Sequence, residues 1–251
     1  MKKVIVTGAS GFVGKFLIEE LLAKNVEVIA VVRNVKNNFG LLGENLRIVY
    51  CDLDSIADLR TLITDRDVDV IYHLAWEGSS GPARGDYGTQ LRNIKYSCDL
   101  ATVAGHIGCK RLIGVGTVSE RVAQSIPEVT TNTDSIMYGL AKHASRCMLS
   151  LQCKKIGIPF VWAQLSNIYG DSNETGNLIS YTISTLSKGE RPLFSKADQP
   201  YDFINIYDCV SALGLLAEGD LSKEFYFVGS GKPRILSDYL LSIERAFGVK
   251  G

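Results

Sequence analysis

Three glycines spaced by three, Gly8, Gly11 and Gly14, lie between an apolar run and an amphipathic one and constrain this chain more than any other feature. Lys3-Val4-Ile5-Val6-Thr7 has the pattern of a buried strand, and after the glycines Val13, Phe16, Leu17 and Leu21 recur at helical spacing until a stop at Asn25. A second apolar run starts at Val26, which completes a βαβ unit. Gly8 suits the tight turn, Gly11 lets the backbone approach a pyrophosphate, and Gly14 lets helix and strand lie close, while the N–H groups of the helix N-terminus face the anion. Gly8, Ser10, Gly11, Phe12 and Val13 are therefore expected to hold a dinucleotide. A merely structural glycine turn is the competing reading, and the flanking strand and helix argue against it.

Strand and helix patterns alternate through the next hundred residues, which predicts an α/β fold with a doubly wound parallel sheet. Strands are expected at 26–32, 46–51, 68–74, 111–116 and 160–165, with helices over 55–64, from Leu91 to Ile107 and from about Asp134 to Ile156. The stretch 77–88 carries Gly78, Gly81, Pro82, Gly85 and Gly88 and reads as a long loop beside the site. The helices after Leu91 and Asp134 each carry apolar stripes on two faces, such as Leu140, Ala144, Cys147 and Leu151 opposite Tyr138, Leu149 and Ile156. Past strand 160–165 the alternation degrades. A helix over 177–186, a strand into a helix over 201–216, a strand at 224–228 and a helix over 235–247 predict a small C-terminal substrate-binding lobe. The expected division is residues 1–166 as the dinucleotide-binding domain and 167–251 as mainly the lobe, interleaved with the first.

With 27 basic against 27 acidic residues and 46% apolar residues, the chain has a core of enzyme size and no basic excess for nucleic acid or an anionic membrane surface. No apolar run reaches the roughly 18 residues of a membrane span, and the first residues do not read as a signal peptide. The six cysteines (Cys51, Cys98, Cys109, Cys147, Cys153, Cys209) show no Cys-x-x-Cys pair and no histidine at ligand spacing. They are expected to be reduced, mostly buried thiols of a cytoplasmic protein, with no metal site.

At the end of the second strand, an acid would select NAD through the ribose 2′-OH and an arginine would accommodate the 2′-phosphate of NADP. Here Val32 is followed by Arg33, which favours NADP; a solvated loop arginine is the bland alternative. Thr117 falls at the C-terminal edge of the strand that begins at Arg111, where open parallel sheets bind ligands. Tyr138 and Lys142 share one helix face at i and i+4. His73, alone on an apolar strand, reads as a core residue.

Taken together, Thr7 to Gly14, Leu74-Ala75, Thr117, Tyr138-x-x-x-Lys142, Asn167-Ile168-Tyr169-Gly170 and Asp202-Phe203-Ile204 to Asp208 resemble, in order and approximate spacing, the extended short-chain dehydrogenase/reductases. That resemblance spans nearly the whole chain and implies a Rossmann-like fold and an NAD(P)-dependent nucleotide-sugar epimerase, dehydratase or reductase. It implies that Asp52 and Leu53 meet the adenine, although Asp52 as a helix cap is an equal reading. Leu74, Ala75 and Trp76 would line the cofactor cleft, Asn93 would order the catalytic region or simply be polar surface, and Lys142 would also hold the nicotinamide ribose. Asn167, Asn177 and Leu178 join Thr117 as expected substrate contacts. The family's helices also pair as a four-helix bundle, which implies a homodimer, and against its usual length Gly251 is an early end to the lobe.

The chemistry explains the residue types. A tyrosine of pKa about 10 is the acid for an alkoxide formed by hydride transfer, a neighbouring ammonium such as Lys142 stabilises its phenolate, and Thr117 orients the carbonyl. Dehydratases of the family place Asp and Glu directly after the threonine, where this chain has Val118 and Ser119, with Glu120 one position on. Tyr201 and Gln164 stand where many members carry arginine, leaving Arg84, Arg121, Lys188, Arg191 or Lys196 to meet a diphosphate. The expected activity is NADP-dependent hydride transfer at a carbonyl or hydroxyl of a nucleotide-linked sugar. A 4-epimerase holding NAD and a non-catalytic dinucleotide sensor are the alternatives.

Overall fold

The computed structural model describes residues 1–34, 40–125, 134–171, 173 and 177–248. Runs of Val, Ile and Leu form strands β1 (Lys3–Thr7), β2 (Glu27–Val32), β3 (Leu46–Tyr50), β4 (Val70–His73), β5 (Arg111–Thr117) and β6 (Phe160–Leu165). Joined by β10 (Phe225–Val228), they make a seven-stranded sheet in the order β10-β6-β5-β4-β1-β2-β3, parallel at every pairing. β4 and β6 are buried along their whole length, as parallel strands covered on both faces must be.

One face of the sheet packs Val4, Val6, Val28 and Ala30 against Leu17, Ile18 and Leu21 of α1 (Phe12–Ala23) and Val210 and Leu213 of α7 (Ile206–Glu218). The other packs Ile5, Ile29, Ile71 and Leu112 against α3 (Tyr87–Ile107) and α5 (Asp134–Ile156). Beyond β6 come β7 (Asn167–Tyr169), α6 (Leu178–Ser187), β8 (Pro200–Tyr201) and β9 (Phe203–Asn205). The tail ends in β11 (Arg234–Ile235) and α8 (Leu236–Ala246), where Phe203, Leu236 and Leu240 build a small separate core with Ala197. β10 and α7 return to the main sheet, so the tail is threaded through both parts.

Several local expectations need correction. The helix expected over 55–64 is a 3₁₀ segment, Leu53–Asp58, followed by the four residues of α2 (Leu59–Leu62), because Asp52 accepts from the Leu53 N–H and starts the turn earlier. The loop expected to last until Gly88 ends at Asp86, whose carboxylate accepts from the Thr89 N–H and caps α3, and within it Pro82–Gly85 winds as a 3₁₀ turn. A helix not anticipated, α4 (Ser119–Ser125), follows β5 directly. Asn177, read as helical, is the N-cap of α6 and accepts from Ser180 N–H. The expected strand at 201 is split into β8 and β9 around Asp202, whose carboxylate is taken up by Ser230. Thr133, expected to help cap α5, lies outside the described residues.

Of the cysteines, Cys109, Cys153 and Cys209 are buried, Cys51 and Cys98 are partly covered, and Cys147 is exposed. No described helix is long and apolar enough to cross a membrane.

Candidate active site

A cavity of about 650 Å³ runs along the C-terminal edge of the sheet, at the switch point where the chain leaves the neighbouring strands β1 and β4 for opposite faces. Lining it are these residues expected at the cofactor or the substrate: Gly8, Ser10, Gly11, Phe12, Val13, Arg33, Asp52, Leu53, Leu74, Ala75, Trp76, Thr117, Tyr138, Lys142, Asn167, Asn177 and Leu178.

At one end the Gly8 carbonyl accepts from the Gly11 N–H at 3.0 Å, and Gly8 holds φ +69°, a left-handed conformation that favours glycine. A Cβ on Gly14 would collide with the carbonyl oxygens of Gly8 and Ala9. α1 begins at Phe12 with no side chain capping it and no acidic residue in its first turn, so its N-terminal N–H groups and dipole are left for an anion. These features fit a dinucleotide pyrophosphate. Farther out, Val32 is buried and offers no acid, and Arg33, 58% exposed, reaches within 4.0 Å of the Asp52 carboxylate. Asp52 therefore both caps the 3₁₀ turn and lines the cavity.

At the other end Thr117 terminates β5, and α5 brings in Tyr138 and Lys142, both buried. Burial pushes the Tyr138 phenol up to about 12; the Arg84 charge and a hydrogen bond with Thr117 pull it down, and Glu120 pushes it up. Burial brings the Lys142 ammonium down to about 7 against the opposing pull of Glu120. Its Nζ donates to the Val115 carbonyl at 2.8 Å and lies 3.9 Å from the centre of the Trp76 ring. Trp76 is held by its Nε1–H on Gln90 Oε1 at 3.0 Å and meets the Tyr138 ring edge to face. The sequence offers Lys142 as an ammonium near the Tyr138 phenol, and the structure adds a second cation, over the face of the ring. It is Arg84, whose guanidinium stands 4.2 Å from the ring centre.

Of the five cations considered for a diphosphate, only Arg84 lines the cavity, and it does so at the reacting end. Arg121 is turned away, donating from Nε to Gln164 Oε1 at 2.9 Å and stacking on Phe227. Tyr201 also lines the cavity, in place of an arginine. Asn167 donates to the Asp202 carbonyl at 3.0 Å and Asn177 to the Ile168 carbonyl at 2.9 Å, so both amides are anchored at the cavity wall.

Glu120 resolves the question left by its place in the sequence. β5 ends at Thr117, α4 turns the side chain inward, and its carboxylate accepts from the Thr117 N–H at 2.8 Å and from Trp162 Nε1–H at 3.2 Å. It is fully buried beneath the threonine and does not line the cavity. Asn93 joins α3 to the start of the 77–86 loop, donating to the Glu77 carbonyl and accepting from its N–H. His73 sits buried between the Thr7 and Ser97 hydroxyls, brought down to about 3 by burial and by the Lys142 charge. Among the described residues no group of three or more His, Cys, Asp or Glu is placed to hold a metal ion.

A doubly wound parallel sheet with a glycine turn at its switch point and a Thr, Tyr, Lys group across the same cleft defines a dinucleotide-dependent enzyme. The family model for the NAD dependent epimerase/dehydratase family matches residues 4–229, and the chain belongs to that family, the extended short-chain dehydrogenase/reductases. It is thus an NAD(P)-dependent oxidoreductase or epimerase. Among curated relatives it is 29% identical to CDP-abequose synthase of Salmonella typhimurium, covering 96% of this chain and 79% of that one. It is 25% identical to dTDP-6-deoxy-L-talose 4-dehydrogenase (NAD(+)) of Aggregatibacter actinomycetemcomitans, covering 93% and 86%. The solved UDP-glucuronic acid 4-epimerase of Bacillus cereus, in complex with UDP-glucuronic acid and NAD, superposes with a TM-score of 0.81 at 22% identity over 99% of this chain and 84% of that one.

Proposed function

We propose that this protein is an NADP-dependent oxidoreductase that transfers hydride at a carbonyl or hydroxyl of a nucleotide-linked sugar. The carrying observation is the single cavity that joins the uncapped glycine turn and Arg33 at one end to Thr117, Tyr138 and Lys142 at the other. Relatives named for dTDP- and CDP-linked sugars support the substrate class.

In this reading the glycine turn and the first turn of α1 hold the pyrophosphate, Arg33 and Asp52 meet the adenosine half, and Lys142, buried beside Trp76, meets the nicotinamide ribose. The nicotinamide, when bound, supplies or takes up the hydride. Thr117 holds the sugar oxygen, its main chain fixed from below by Glu120. Tyr138 donates the proton that oxygen needs in reduction and removes it in oxidation. Asn167, Asn177 and Leu178, with Tyr201, receive the rest of the substrate, so residues 167–251 act mainly as the substrate lobe. Water is not eliminated: Val118 and Ser119 replace the acid and base of the dehydratases, and Glu120 is sealed off.

Arg33 carries the cofactor preference. NADPH is expected to bind more tightly than NADH, and Arg33→Ala to remove most of that difference, about tenfold for one lost charge-assisted pair at an exposed site. Titration by quenching of the two tryptophans reads it. Equal binding in wild type would favour the second reading, a 4-epimerase with resident NAD, which the NAD in the solved B. cereus relative supports. A non-catalytic sensor is disfavoured because Thr117, Tyr138 and Lys142 all face one cavity.

The outer faces of α3 and α5 support a homodimer built through them. Leu91 is 61% exposed, and Leu140, Met148 and Leu151 are 41%, 51% and 68% exposed on α5, while the opposite side of α5 buries Leu149 and Cys153. Light scattering at micromolar concentration is expected to give twice the mass of one chain, and Leu151→Lys with Met148→Lys to give a monomer. Reduced thiols and a small diffusible substrate suit a cytoplasmic enzyme.

A further inference from the structure

Arg84 lies where no part of the mechanism above uses it. The 3₁₀ turn Pro82–Gly85 delivers it across the cavity mouth onto the face of the Tyr138 ring, 4.2 Å from the ring centre. Two of its nitrogens are anchored: Nη1 donates to the Ser79 carbonyl at 2.7 Å and Nη2 to Ser119 Oγ at 3.1 Å. Ser119 in turn stands 3.5 Å from the Thr117 hydroxyl, so the guanidinium is fastened to the same group that orients the substrate. The third nitrogen, Nε, is buried with no hydrogen-bond partner among the described residues, and none of their carboxylates pairs with the guanidinium. Burying a donor without an acceptor destabilises the site by the desolvation of that group. A contact with a neutral ring offsets part of that cost. It is offset further when the ring carries the negative charge of a phenolate.

We propose that Arg84 is the cation that stabilises the Tyr138 phenolate during turnover, acting through its charge from the face of the ring. This rests on Tyr138 as the proton-transfer group of the proposed function. In reduction, as hydride adds to the carbonyl carbon, the carbonyl π pair becomes a lone pair on oxygen. That oxygen takes the phenol proton, and Tyr138 is left as phenolate until solvent returns a proton; oxidation runs the reverse. Arg84 gives up no proton at any point.

The other charged and titratable groups around the phenol stand to it differently. Glu120, reaching up from α4, opposes the phenolate. Lys142, on the same helix, is turned to the Val115 carbonyl and Trp76, and burial brings its ammonium down from the usual lysine range. Tyr201 on β8 is itself pushed up by burial and pulled down by Arg84. A guanidinium keeps its charge over the whole working range, which makes Arg84 the constant cation of the group.

The test uses tyrosine labelled with ¹³C at the ring carbon bearing oxygen, followed by NMR against pH, with the Tyr138 signal assigned by its loss in Tyr138→Phe. In Arg84→Met the onset of Tyr138 ionisation is expected about one unit or more above wild type, the scale for removing one opposite charge nearby. Arg84→Lys, which keeps the charge and loses the planar stack, is expected between the two. On a sugar nucleotide that the enzyme turns over, the limb of the rate profile governed by Tyr138 is expected to move up by the same amount. In the oxidative direction, where the phenolate is the base, kcat near neutrality then falls about tenfold with KM nearly unchanged. Unmoved Tyr138 ionisation in Arg84→Met, or a loss confined to KM, overturns the proposal and makes Arg84 a substrate clamp. Because the NMR titration needs no substrate, failure to turn over any sugar nucleotide would sink the proposed function without deciding the role of Arg84.

Discussion

Tyr138→Phe is expected to lower turnover by about 10²- to 10⁴-fold, the usual worth of a positioned proton-transfer group, while NADPH binding stays within about twofold. The substitution removes one oxygen and leaves the ring in place, and the ring is what packs against Trp76 and carries Arg84. Thr117 keeps its place because its main chain is held by Glu120 and by the pairing of β5 with β6. Loss of rate without loss of binding is thus the signature of proton transfer. Lys142→Met differs: it deletes the group buried between Val115 and Trp76, which the proposed function sets against the nicotinamide ribose, so binding and turnover should fall together. Steady-state rates and cofactor titration on the same preparations separate the two outcomes. Near-full activity in Tyr138→Phe would remove Tyr138 from the mechanism.

Gly14→Ala should strike the opposite end of the cavity. The added methyl would overlap the carbonyl oxygens of Gly8 and Ala9, both of them main chain, so the turn has to open to admit it. Overpacking of this kind costs about 1 to 3 kcal/mol. Expressed in the cofactor-bound turn, that is a loss of roughly five- to 150-fold in NADPH affinity. Expressed in the fold, it lowers the melting temperature, since Gly14 is itself buried. The two are read by titration and by thermal unfolding, and Gly8→Ala should be worse, because φ +69° adds strain and its Cβ would sit 2.6 Å from the Ala75 nitrogen. Unchanged affinity and melting temperature in Gly14→Ala would mean that the turn is not the pyrophosphate site.

What could be read from the sequence is what repeats along the chain. The apolar runs of β1, β2, β4, β5 and β6 and the helical spacing of α1, α3 and α5 are local patterns, and they carry the sheet and both of its layers. The glycine turn and the Tyr138/Lys142 pair are legible because their spacing is itself the geometric requirement. α4 escaped because seven residues with two apolar side chains give too short a period to recognise. α3 starts before Gly88, a residue of low helix propensity, because Asp86 caps it through the Thr89 N–H.

The electrostatics of the site were the least legible part. Helical spacing puts Lys142 on the same face as Tyr138, but it says nothing of desolvation, which lowers the lysine and directs its Nζ to a carbonyl. Arg84 sits in a glycine-rich stretch with no periodicity, more than fifty residues before the tyrosine that it covers. Only the three-dimensional path of the 3₁₀ turn brings them together. For Glu120 the sequence leaves open where the side chain points; the end of β5 and the turn of α4 make it an acceptor for the threonine main chain.

The most direct test of hydride transfer to a nucleotide-linked sugar follows the hydride itself. NADPH carrying deuterium at nicotinamide C4 is incubated with the enzyme and a panel of keto-sugar nucleotides, and the products are weighed by mass spectrometry. The account predicts a reduced sugar nucleotide one mass unit heavier than its unlabelled counterpart, formed by wild type and nearly absent with Tyr138→Phe. Sugar nucleotides recovered unreduced and unlabelled across the panel, or products that have lost water, would contradict it.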